Sequence, residues 1–68
     1  MLLPWTKYPG IEHGSIGWRC GYGEDYLNLF WKWFSALSVE LKSVYSADNP
    51  EAAGWEGFYQ RIINSPWI

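Results

Sequence analysis

Gly23–Leu37, GEDYLNLFWKWFSAL, is the stretch whose reading decides the fold. Glu24 and Asp25 place two carboxylates where the free N–H groups and the positive dipole end of a starting helix favour them. Leu27, Phe30, Trp31 and Phe34 then recur at helical spacing and form one apolar face. Tyr26, Leu29 and Trp33 form a second apolar face beside it. Asp25, Asn28, Lys32 and Ser35 make a narrow polar stripe. A helix apolar around most of its circumference is normally covered on several sides. In a chain of 68 residues, that cover comes from the rest of the chain or from a partner.

The N-terminal neighbour of this helix, residues 1–22, reads as an irregular arm, extended and turning rather than helical. Pro4 and Pro9 fix φ and bias the residues before them away from the helical region. Five of the seven glycines lie between Gly10 and Gly23. Trp5, Tyr8, Trp18 and Tyr22 are spread through the same segment, whereas disordered tails are poor in aromatics. An arm rich in glycine and aromatic residues is therefore expected to wrap the helical part. The glycines do not read as a phosphate loop. They lack the Gly-Lys-Ser/Thr ending and the Gly-x-Gly-x-x-Gly spacing, and Glu24 and Asp25 would repel an anion at the helix start.

On the C-terminal side, Leu27, Phe30, Phe34, Leu37, Leu41 and Val44 step by three and four, which admits one helix over 23–46. Alternatively, Ser38 caps a second helix with Glu40 in its first turn, and this break is preferred because a small domain must fold back on itself. Asn49-Pro50-Glu51 has the order of a cap, a first-turn proline and an acid, predicting a C-terminal helix over 49–64. Trp55, Phe58, Tyr59 and Ile62 follow its periodicity, and Gly54 and Gly57 are expected where another segment approaches closely. Asn64, Ser65 and Pro66 end it before an apolar tail of Trp67 and Ile68. The expected fold is mainly α, a single domain over 1–68 with two or three short helices wrapped by the arm.

Six Trp, five Tyr and three Phe supply the apolar mass that a domain of this size otherwise obtains from disulfides or metals. Cys20 is the only cysteine, so no internal disulfide and no four-ligand thiolate set can form. The opening MLLPWTKYPG lacks the basic and long apolar regions of a signal peptide, which makes the cytoplasm the expected location. No stretch is long and apolar enough for a transmembrane span, and YLNLFWKWFSALSVEL lacks the basic polar face of a membrane-surface helix. The net charge of −2 divides into +1 over residues 1–22 and −3 over 23–68, with no basic cluster in either half. Duplex nucleic acid is held largely through phosphate neutralisation, so this charge pattern speaks against it as a partner.

Glu12-His13 and Cys20 are the nearest approach to a catalytic constellation, since a thiol needs a base to become a thiolate. Adjacent Glu and His side chains seldom point together, no signature surrounds Cys20, and two ligands fall short of a metal site. The expectation is no enzyme, no cofactor and no metal. What remains is surplus aromatic surface, the type enriched at the centres of protein interfaces. The chain reads as a small protein-binding module that occupies a site on a larger protein, such as an accessory subunit, an immunity-type protein or a phage-type inhibitor. Self-association into a homo-oligomer is compatible with the same surface. The alternative is binding of single-stranded nucleic acid or a small ligand through Trp and Tyr faces.

Which face meets the partner follows from the patterning. Leu27, Phe30, Trp31 and Phe34 continue into Leu37 and Leu41 and should form the core with Trp55, Phe58 and Ile62. Tyr26, Leu29 and Trp33 are left over. They are covered by the arm or, failing that, form an interaction patch, and they are the candidate partner-binding residues.

Overall fold

The structure is a computed structural model and describes residues 1–67. It is mainly α: among the described residues there are four short α-helices and one 3₁₀ turn, with no strand. The helices are α1 (Pro4–Lys7), α2 (Gly21–Ser35), α3 (Val39–Asp48) and α4 (Phe58–Asn64), and the 3₁₀ turn is Ile16–Trp18. Contacts divide the chain into two compact units, Met1–Phe30 and the segment beginning at Trp31, so the boundary falls inside α2.

The first unit is more helical than its sequence suggests. Pro4 sits in the first turn of α1, where its missing N–H would have had no partner and its fixed φ suits a helix. Three residues at Ile16–Trp18 form the 3₁₀ turn, and α2 begins at Gly21 rather than Gly23, taking Tyr22 out of the expected arm. Two glycines make this path feasible for different reasons. Gly21 turns the chain into α2 at φ +67°, a conformation that side chains disfavour. Gly23 is buried so closely against the turn that a Cβ there would fall on the carbonyl oxygen of Gly17.

Tyr8 gathers the aromatics of this unit. Its ring lies edge-on to Tyr26 at 5.7 Å and tilted to Tyr22 at 4.8 Å and Trp18 at 6.3 Å. Trp18 is buried, and its indole N–H donates to the Ile11 carbonyl at 3.1 Å, satisfying the one polar atom it brings inside.

In the second unit, the break near Ser38 is present. The helix α2 ends at Ser35, and the Ser38 hydroxyl accepts the Leu41 N–H at 3.1 Å, capping α3. The C-terminal helix is shorter than the 49–64 expected. Asn49 caps the end of α3 rather than starting a helix, its side-chain amide donating to the Tyr45 carbonyl at 3.0 Å. Gly54 and Gly57 adopt φ +89° and +83°, which no helix interior accepts, so α4 begins only at Phe58. Nothing lies within 4 Å of a Cβ built on either glycine, so they serve the backbone angle and not a close approach. Trp55 is buried from a turn and not from a helix. Ile68, the end of the expected apolar tail, lies outside the described residues.

The core of this unit is aromatic. Phe34 stacks on Tyr59 at 5.2 Å, Tyr45 meets Tyr59 edge-on at 6.2 Å, and Phe58 receives Trp55 and Trp31 edge-on at 5.2 and 6.0 Å. The edge-on pairs put the positive ring edge against a negative ring face, adding to area burial. Phe34 and Ile62 are fully buried. Across the chain, Phe30, Phe34, Trp55, Phe58 and Ile62 are buried as expected, whereas Leu27 and Trp31 are only half-buried. Leu41 does not join them: it is 55% exposed.

Candidate functional site

The residues expected to meet a partner have three different environments. Tyr26 is tied to the N-terminal segment, its hydroxyl donating to the Leu2 carbonyl at 2.6 Å and its ring lying against Tyr8. Burial, with the Tyr8 phenol beside it, holds the Tyr26 hydroxyl above its usual pKa. Lys7 places its ammonium 5.8 Å and 5.9 Å from the Tyr8 and Tyr26 ring centroids, a cation–π arrangement within the same unit. Leu29 is 57% exposed. Trp33 is half-buried and lies edge-on to Tyr45 at 5.1 Å. The periodic face of α2 therefore resolves into one half-buried residue tied to the N-terminal segment, one open residue and one at the rim of a groove.

The larger open apolar surface belongs to α3. None of its residues is buried, although it carries Val39, Leu41 and Val44. Val39 is 82% exposed, and Leu41 and Val44 are more than half exposed. Periodicity carried the line from Leu37 onward into the core, but the break at Ser38 resets the helix direction and leaves Leu41 and Val44 outside. Sequence offered one sign of this. The segment VELKSVYSAD mixes polar and apolar residues without a broad stripe, the pattern of a helix that packs weakly against its own chain.

Two grooves flank α3. The first, of about 310 Å³, is walled by Phe34, Tyr59 and Ile63 opposite the Val39, Lys42, Ser43 and Ser46 face of α3. The second, of about 210 Å³, is walled by Trp33 and Leu37 opposite Leu41, Val44, Tyr45 and Asp48. The α3 residues on the first groove fall at i, i+3, i+4 and i+7, which is one side of a helix; those on the second follow the same rule. The polar groups of the first groove are partly committed. Ser46 donates its hydroxyl to the Ser43 carbonyl at 3.1 Å, and Tyr59 donates to the Asn49 carbonyl at 2.6 Å. Burial chiefly, then Tyr45 and the Glu51 carboxylate, push the Tyr59 hydroxyl far above its usual range, keeping it a neutral donor. Tyr59, in the wall of the first groove, is thereby tied to Asn49, which lines the second.

Glu51 has the most specific polar role in the unit. Its two carboxylate oxygens accept the N–H groups of Gly57 and Tyr59, each at 2.9 Å. The acid thus caps α4 from outside the helix, satisfying backbone donors that Gly57, lacking a side chain, cannot reach. Spacing gave no hint of this, because such a cap depends on how the 51–57 loop folds.

His13 and Cys20 are both exposed. The Cys20 thiol donates to the Ile16 carbonyl at 3.4 Å. No group of three or more His, Cys, Asp or Glu side chains is arranged for a metal among the described residues. No helix among them is long and apolar enough to cross a membrane. Comparison with protein families, curated proteins and solved structures finds no match.

Proposed function

We propose that this protein is a small non-enzymatic binding module that acts in the cytoplasm by occupying a site on a larger protein, as an accessory subunit, an immunity-type protein or an inhibitor does. The observation that carries this reading is α3, a helix of ten residues with no buried side chain and with Val39, Leu41 and Val44 open to solvent. Helices in small domains gain most of their stability from packing an apolar face, and α3 leaves that face available. Together with Trp33 and Leu37, Leu41 and Val44 form an apolar ridge and groove of the kind a partner's side chains fill. Within this reading Trp33 remains a contact residue, Leu29 is a further exposed apolar position, and Tyr26 acts indirectly by holding the N-terminal segment.

The test is capture from the native cell with two baits, the wild-type chain and the Leu41→Asp/Val44→Asp variant. Both positions are exposed, so the variant should melt as the wild type does. A protein retained by the wild type and lost at least tenfold by the variant supports the reading. Equal retention by both baits refutes it. A titration of tryptophan fluorescence with single-stranded oligonucleotides should be silent, and a salt-dependent quench would transfer the assignment to nucleic acid.

A further inference from the structure

Beyond a protein partner, the groove on the other side of α3 has the make-up of a small-molecule site. Ligand sites are typically concave, about 300–1,000 Å³, apolar over most of their walls, with a few polar groups that fix orientation. The groove of 310 Å³ fits the lower end of that range, with apolar walls from Phe34, Val39, Tyr59 and Ile63. Its charge is of one sign: Lys42 lines it and no carboxylate does. Lys42 is half-buried and has no ion-pair partner among the described residues. A cation on the wall of an apolar groove favours an anion that can bring its own apolar body. The Ser43 hydroxyl, one residue on, adds a donor on the same side of α3. The neighbouring groove has the opposite polarity, with Asp48 and no cation among its lining residues.

We infer that the Lys42 groove binds a short-chain amphipathic carboxylate, its carboxylate at Lys42 and Ser43 and its hydrocarbon against Phe34, Tyr59 and Ile63. The size of the groove selects a short chain over a long-chain lipid, and the sign of the charge selects an acid over an amine. The Asp48 groove repels the same molecule, so occupancy is confined to one side of α3.

The experiment is a titration of the isotope-labelled chain with octanoate, below its micelle concentration, followed by amide and methyl chemical shifts. Octylamine and octanol serve as matched probes. Saturable shifts at Val39, Ser43, Ser46 and Ile63, with octanoate bound at least tenfold more tightly than octylamine or octanol, are expected. Lys42→Glu should weaken octanoate at least tenfold. Lys42→Met keeps the aliphatic stem and should lose most of the preference for octanoate over octanol. Absence of saturable shifts overturns the inference, as do shifts centred on Leu41 and Asp48. Octanoate binding unchanged in both Lys42 variants overturns it equally.

Discussion

Replacing Glu51 by alanine removes one side chain and leaves two backbone donors without their acceptor. The Gly57 N–H is exposed and can turn to water, so its loss costs about 0.5–1 kcal/mol, while the Tyr59 N–H is part-buried and bonded to a charged group, where about 1.5–2 kcal/mol is at stake. The sum, about 2–3 kcal/mol, is a large share of what a domain of this size retains in total, commonly no more than about 3–5 kcal/mol. In a chain of 68 residues that corresponds to a fall in Tm of roughly 10–20 °C. Glu51→Gln keeps one acceptor oxygen but turns an NH₂ group toward the second donor, so it should recover less than half of the loss. Thermal unfolding followed by far-ultraviolet circular dichroism reads both variants. The decisive control is hydrogen exchange, in which the Gly57 and Tyr59 amides should lose protection in Glu51→Ala before those of α2. A Glu51→Ala protein that melts within 2 °C of the wild type, with both amides still protected, would refute the cap and the account of where α4 begins.

Other substitutions separate packing from exposure and conformation from space. Phe34→Ala, at a fully buried ring stacked on Tyr59, should cost about 3–5 kcal/mol and leave the chain largely unfolded at room temperature; Leu41→Ala should shift the melt by no more than a few degrees. Trp33→Ala should fall between them, since it loses the Tyr45 contact from a half-buried position; a melt as low as that of Phe34→Ala would place Trp33 in the core and remove it from the proposed interface. Gly23→Ala should destabilise by about 1–3 kcal/mol, the reverse of the gain of up to 1 kcal/mol that this change usually brings inside a helix, because the new methyl group meets the Gly17 carbonyl; a higher Tm would refute the close approach. The raised Tyr59 pKa sets a sign for alkaline pH. The folded phenol keeps its proton above about pH 10 while the unfolded one releases it, so the stability is complete below pH 10 and declines as pH rises beyond it. Denaturant midpoints at pH 9 and 11 should show that decline, and it should shrink in Tyr59→Phe.

What could be read from the sequence was what depends on neighbours along the chain. Glu24 falls in the first turn of α2, where the dipole acts, although the helix opens at Gly21 and leaves Asp25 beyond that turn; Ser38 marks another start because its hydroxyl reaches an amide three residues on. Phe30 and Phe34 were legible as core from spacing alone. The features that periodicity misplaced depend on backbone angles or distant partners. Trp55 sits on the same helical period as Phe58 and Ile62, yet two left-handed glycines exclude it from α4. Asn49-Pro50-Glu51 has the composition of a helix start, but Glu51 caps a helix that begins seven residues later. Leu41 continues an apolar line in sequence that the turn before Ser38 breaks in space. Trp33, an expectation from pattern, lies on the wall of one groove, whereas Lys42 and Val44 stood out only once both sides of α3 were in place.

The hydrogen bonds that close the second unit carry an order of events in synthesis. Trp31 donates its indole N–H to the Ser65 carbonyl at 2.7 Å, and the Trp67 N–H donates to the Ser35 hydroxyl at 3.0 Å. These bonds join residues 34 and 32 positions apart, and the later partner in each lies near the last residue described. In the first unit, Trp18 reaches back seven residues to Ile11, and Tyr26 reaches back to Leu2. On a ribosome, where chains emerge from the N-terminus and fold as they do so, the first unit can close its bonds while α3 and α4 are still inside the exit tunnel. The second cannot close until Trp67 is free of the exit tunnel. Until then, the Trp31 indole N–H and the Ser35 hydroxyl lack the partners that close the unit.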